Sequence, residues 1–159
     1  MKKLALLAAL ALVPLAVPAH AQFGAKLGML SCTVNGGTGF IIGSSKDMQC
    51  TFTPAFGSRT QEIYSGRINK YGVDIGTTTG GALEWLVLAP SRDVYDPGGL
   101  AGNYVGATAE ATIAVGLGAN VLVGGSARSI ALQPLSVTNQ TGLNAALAIG
   151  ALQLTAPLK

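Results

Sequence analysis

Apolar residues in this chain fall in short runs, several with a two-residue period, separated by glycine, asparagine and proline; this is the pattern of strands and turns. The amino terminus is the exception. There an uninterrupted apolar run, Leu4 to Val13, follows Lys2 and Lys3 and leads to Ala19-His20-Ala21. A basic start, an apolar middle and a small-x-small site together predict an export leader cleaved after Ala21. Residues 1–21 are then the signal peptide and 22–159 a single β-rich domain.

Within that domain the first strand is predicted over Leu27 to Val34, where Leu30, Cys32 and Val34 alternate, turning at Asn35-Gly36 and returning over Gly39 to Gly43. Lys46-Asp47 reads as a turn and Met48 to Thr53 as a third strand. Glu62 to Ile68 and Tyr71 to Thr77 read as a pair turning at Asn69-Lys70. Ala82 to Ala89 places Leu83, Trp85 and Val87 on one face and Glu84, Leu86 and Leu88 on the other. Pro90 ends it, and Asp96-Pro97-Gly98-Gly99 marks an irregular loop. Asn103 to Val115, Ala119 to Val123, Ser129 to Leu132, Leu135 to Thr138 and Leu143 to Leu154 complete the set, with Ala145 to Ala151 the one stretch open to a helical reading. Leu27 to Gly37 and Leu117 to Gly125 echo one another weakly, too briefly to establish a repeat. The expected fold is all-β: a small antiparallel barrel or sandwich of nine or ten glycine-rich strands.

Composition sharpens this in three ways. All 22 glycines lie after the leader, which disfavours long helices, since an interior glycine costs a helix about 1 kcal/mol relative to alanine. The formal charge of +3 falls to +1 when Lys2 and Lys3 leave with the leader. The remaining bases are dispersed, so no nucleic-acid footprint is present. The single histidine, His20, also lies in the leader, which removes the commonest general base and metal ligand from the working protein. No apolar run after Ala21 is long enough for a membrane-spanning helix.

Cys32 and Cys50 both survive cleavage. An even pair in an exported chain is most simply a disulfide. Cys-x-x-Cys spacing is missing, and without histidine a zinc site is not completed.

Candidate chemistry is sparse. Asp93 and Asp96 suit a turn better than a calcium loop, whose ligands come at closer intervals. Asp74, between Val73 and Ile75 in a predicted strand, either lines a pocket or faces solvent with a partner such as Arg67. Trp85 is the second pocket candidate; with Tyr64, Tyr71, Tyr95 and Tyr104 it could build a stacking surface, although its apolar neighbours favour core packing. Gly37-Thr38-Gly39 lacks the third glycine of a dinucleotide fingerprint, and no Gly-x-Ser-x-Gly or Ser-x-x-Lys occurs. Glu62, Glu84 and Glu110 show no recognisable arrangement. No catalytic residue, metal ligand or cofactor is assigned.

Cys32 followed by Gly36-Gly37 and Gly39-Phe40, Cys50-Thr51-Phe52, Tyr64-Ser65-Gly66, Gly72-Val73-Asp74-Ile75-Gly76 and Asn120 to Gly125 form an ordered series. With Leu132 to Ser136 and Gly142 to Ala145, it resembles an exported proteobacterial family, domain of unknown function 992. The resemblance implies export and a single domain and carries over no activity, ligand or site residue. The expected function is a periplasmic or secreted, non-enzymatic β domain, a binding or envelope-associated structural protein of unknown ligand, with an apolar small molecule or an envelope protein as the candidate partner. A small outer-membrane barrel is the alternative; a carboxylate- or serine-dependent enzyme is the lesser one.

Overall fold

The computed structural model describes residues 23–34, 45–57, 59–70, 81–107, 117–118, 120–135 and 149–156. They form eight strands: β1 (Ala25–Val34), β2 (Ser45–Pro54), β3 (Glu62–Lys70), β4 (Gly81–Ala89), β5 (Gly102–Gly106), β6 (Leu122–Gly124), β7 (Ile130–Pro134) and β8 (Ile149–Thr155). Two 3-10 turns, Arg92–Val94 and Ser126–Arg128, are the only helical pieces among the described residues. The sheet closes in the order β1-β2-β3-β8-β5-β6-β7-β4. Of the two expected architectures, the barrel is the one formed.

That order contains two Greek keys, each a three-strand meander whose fourth strand returns beside the first. β4-β1-β2-β3 is one and β8-β5-β6-β7 the other. They join at the β3–β8 and β4–β7 seams. The first key therefore corresponds to the second strand by strand, β1 to β5 and β2 to β6. The short sequence echo, which would match β1 with β6, is not this repeat.

Strict alternation carries the closure. Leu30 and Cys32 of β1, Met48, Cys50 and Phe52 of β2, Tyr64 and Ile68 of β3, and Leu83, Trp85 and Val87 of β4 all face inward and are buried. Tyr104, Leu122, Ile130, Leu132, Leu152 and Leu154 complete the core from the second key. Trp85, Tyr64, Tyr104 and Phe52 are each 0% exposed, so large side chains pack the described interior.

Cys32 and Cys50 stand directly opposite one another on β1 and β2 and are joined as a disulfide inside the barrel. Both are buried.

Two predicted turns fall inside strands. Lys46-Asp47 belongs to β2, and Asn69-Lys70 to β3. The reason is the solvent face: Asp47 lies opposite Arg67, whose Nε donates to its carboxylate at 2.8 Å, so charge here marks an outward strand position. Ala119 to Val123 shortens to the three residues of β6, with Asn120 left-handed (φ 61°) just before it. Residues 149–151 of the helix-ambiguous stretch are strand. The Asn35-Gly36 turn, the returns over 39–43 and 71–77, and most of 107–116 and 136–148 lie outside the described residues.

Because every neighbouring pair is antiparallel, the connections β2–β3, β4–β5 and β6–β7 all close the same end of the barrel. That end carries the candidate site.

Candidate functional site

Glu62 opens β3 at this end, and three donors converge on its half-buried carboxylate. The hydroxyl of Tyr64 donates to Oε2, the hydroxyl of Tyr95 to Oε1 at 2.6 Å, and the amide of Gly98 to Oε2 at 3.0 Å. Gly98 reaches it from a left-handed conformation (φ 82°), which an L residue adopts only under strain. The β4–β5 connection is thereby pinned to the start of β3.

The electrostatics follow from those donors. Burial alone pushes the Glu62 carboxyl up, but the hydroxyls of Tyr64 and Tyr95, the Gly98 amide and the nearby Arg59 outweigh it and hold it below its ordinary value of 4.5. Burial, then the Glu62 charge, pushes both tyrosines up. An ionised acceptor flanked by two protonated donors is a latch. None of its groups titrates near neutral pH, where a general acid or base works best.

Tyr95 is buried with its ring 5.2 Å from that of Phe52. Above it, Arg59 donates Nη1 to the Tyr95 carbonyl at 3.2 Å. The Arg59 guanidinium lies 5.4 Å from the Tyr95 ring and 5.8 Å from that of Phe56. Arg92, on the first 3-10 turn, lies 5.2 Å from the same Phe56 ring. Two exposed guanidiniums thus share one half-buried phenylalanine.

Beside this cluster an open groove of about 290 Å³ runs over β1 and β2, lined by Lys26, Met29, Ser31, Thr53, Pro54 and Ala55. The β1–β4 register shifts between Lys26 and Gly28, a bulge of the kind that bends a strand and re-aims its side chains. The Ala55 amide donates to the Leu27 carbonyl at 2.8 Å, extending the ladder under the groove. Gln61 Nε2 donates to Thr53 Oγ1 at 3.0 Å and fixes its edge.

The sequence candidates distribute differently. Trp85 is in the core; its Nε1 is buried with no hydrogen-bond partner. Asp74 and Glu110 lie outside the described residues, and Arg67, suggested as a partner of Asp74, pairs with Asp47. Asp93 is exposed, and its carboxyl is lowered from its ordinary value chiefly by the neighbouring Ser91. Asp96 serves the turn, its carbonyl accepting the Gly99 amide at 2.8 Å. Glu84 faces outward on β4, opposite Ser31. Tyr64, Tyr95 and Tyr104 are all buried, so the stacking surface suggested for them is not formed by these three. Among the described residues, no three histidine, cysteine or carboxylate side chains gather as a metal set.

The family model described as "Protein of unknown function (DUF992)" matches residues 11–155. The chain belongs to the DUF992 family. No curated protein and no solved structure matches it. Within this DUF992 chain the Glu62 latch was invisible to sequence reading, because its donors sit 2, 33 and 36 residues away. One signal was available. Phe56, Arg59, Arg92 and Tyr95 are aromatics and arginines crowded into two loops, a composition favoured at binding surfaces.

Proposed function

We propose that this DUF992 chain is an exported, non-enzymatic binding domain whose barrel is a solid support and whose ligand or partner contacts lie at the Phe56–Arg59–Arg92 end and its groove. The observation that carries this reading is the filled interior. With Trp85, Tyr64, Tyr104 and Phe52 all 0% exposed, packed side chains occupy the described interior, which favours binding on the surface. The leader read over Met1 to Ala21 and the Cys32–Cys50 disulfide support an oxidising compartment, periplasmic or secreted. The protonation states at Glu62, Tyr64 and Tyr95 support a structural role for the most acidic corner of the site.

The described exterior weighs against the outer-membrane alternative. Its outward positions mix polar Thr33, Gln49, Ser65, Asp47, Arg67, Asn103 and Gln153 with apolar Met29, Ile63, Leu86, Leu88 and Val105, while the described interior is apolar. A lipid-facing barrel has the opposite arrangement, an apolar outer band around a polar lumen.

Native mass spectrometry of the chain expressed with its leader tests the reading. The expected result is a mature form beginning at Gln22 that carries a small molecule or protein partner, lost in a Met29→Glu variant that still folds. A mature form with nothing bound, or binding indifferent to Met29→Glu, would overturn it.

A further inference from the structure

We infer that the paired guanidiniums of Arg59 and Arg92 form a receptor for the oxyanion head of an amphiphilic ligand, a carboxylate or phosphate, whose apolar part lies in the groove. This rests on the surface-binding reading above and names the ligand chemistry of that site.

The argument begins with charge that is assembled and left open. Two cations brought to one ring repel each other, and at an exposed position each ring contact returns only a small gain. Arg59 is oriented by the Tyr95 carbonyl and by two rings. The Arg92 guanidinium is held by Phe56 alone and makes no hydrogen bond or ion pair among the described residues.

The nearby carboxylates are already engaged. Glu62 accepts from Tyr64, Tyr95 and Gly98 and faces only Arg59, and Asp93, whose carboxyl is lowered chiefly by Ser91, forms no ion pair with Arg92 among the described residues. The free edges of planar guanidiniums match the two oxygens of a carboxylate or phosphate, and pre-oriented forks lose little entropy on binding.

The second part of the inference is shape. Phe56 follows Ala55, the last residue of the groove, and the 3-10 turn bearing Arg92 packs against β1, the strand that supplies Lys26, Met29 and Ser31. Met29, Pro54 and Ala55 give the groove apolar walls, and Lys26 adds a third cation at its margin. A volume of about 290 Å³ lies just below the usual range for small-molecule sites, about 300–1,000 Å³, and accommodates a short alkyl chain.

The test titrates the mature, oxidised chain with octanoate, octyl phosphate, octanol and inorganic phosphate, followed by amide NMR shifts. The expected result is that one or both octyl anions bind at least about tenfold tighter than octanol and than inorganic phosphate, with shifts at Ala55, Phe56 and Arg92. Which octyl anion binds tighter separates a carboxylate from a phosphate head. Arg92→Gln, which removes no hydrogen bond among the described residues, should weaken the anions by about tenfold or more and leave octanol unchanged, because a hydrogen bond to a charged group is worth about that much. Added salt should weaken the anions selectively.

If octanol binds as tightly as octanoate and Arg92→Gln changes neither, the inference falls while the groove reading stands. If inorganic phosphate binds as tightly as octyl phosphate, the amphiphile falls. If none of the four binds, this inference falls, while the mass-spectrometric test above still decides the broader reading through the partner it reports.

Discussion

The two Greek keys share a topology and are held together by different means. The first has strands of 10, 10, 9 and 9 residues, and at the centre of its β1–β2 pair Cys32 is bonded to Cys50. The second has strands of 5, 3, 5 and 7 residues. In its β5–β6 pair, the counterpart of β1–β2, Tyr104 stands opposite Gly124. An added Cβ at Gly124 would meet the Asn103 carbonyl at 1.9 Å and the Tyr104 Cα at 2.7 Å, so glycine is what lets these strands approach. The Tyr104 hydroxyl then donates to the Leu100 carbonyl four residues earlier, at 2.7 Å, tying the strand to the corner that precedes it. A tyrosine bonded back to its own corner recurs in Greek-key sandwiches. Both keys rest on buried packing; the first adds a covalent link that restricts the unfolded chain, where the second relies on contacts that exist only in the folded state.

The largest expected effect breaks the covalent side of this comparison. Cys32→Ala with Cys50→Ala should destabilise the domain by about 3 kcal/mol. Because the link acts on the unfolded ensemble, the urea m-value should rise as that ensemble expands. An unchanged m-value with full stability would show that the bridge is dispensable. Gly124→Ala breaks the other side and should cost about 2–3 kcal/mol through forced separation of β5 and β6, with the m-value unchanged.

Tyr104→Phe sharpens the contrast at smaller scale. Removing the hydroxyl leaves the buried Leu100 carbonyl without that donor and should cost about 1–2 kcal/mol in equilibrium unfolding. Glu62→Gln probes the latch joining the β4–β5 connection to β3, with an expected cost of about 1 kcal/mol at pH 7, discounted for partial exposure. Its pH dependence has a definite sign. The folded pKa of Glu62 is depressed, so the stabilisation is fully present above the ordinary value of 4.5 and is lost as pH falls through the folded value. Wild-type and Glu62→Gln unfolding midpoints should therefore converge in acid; curves that stay parallel would remove the latch from the account.

The smallest effect belongs to Trp85, the core residue between the keys. Trp85 lies opposite Leu30 on β1 and Pro134 on β7, and its buried Nε1 makes no hydrogen bond. Trp85→Phe loses volume and also removes an unsatisfied donor, so the two terms offset and the change should be within about 1 kcal/mol. Trp85→Ala has no such offset and would serve as the control.

Much of the first key was legible because its strands are long and alternate cleanly. Leu30, Cys32 and Val34, or Leu83, Trp85 and Val87, declare one face at a two-residue period. The errors came from polar residues whose meaning depends on a neighbour. Lys46-Asp47 and Asn69-Lys70 read as turns because charge and asparagine are common there; Asp47 is instead opposite Arg67 on the solvent face of two strands. β6 was blurred because three residues, one of them glycine, carry too little pattern to set bounds. At the site, the arginines and aromatics of the 55–61 and 90–101 loops were all visible, but nothing local says that Tyr95 and Gly98 reach Glu62.

By itself the sequence determined an all-β chain with two cysteines, no histidine after His20 and no apolar run of membrane-spanning length after Ala21. These are properties of composition and period, and each residue carries them wherever the chain folds. Only the tertiary structure decided that the sheet closes, that Trp85, Tyr64, Tyr104 and Phe52 pack inside it, and that Arg59 and Arg92 both come within reach of the Phe56 ring. Closure depends on which strands become neighbours across the β3–β8 and β4–β7 seams. Those pairings join residues far apart in the chain, where no local preference can specify a partner.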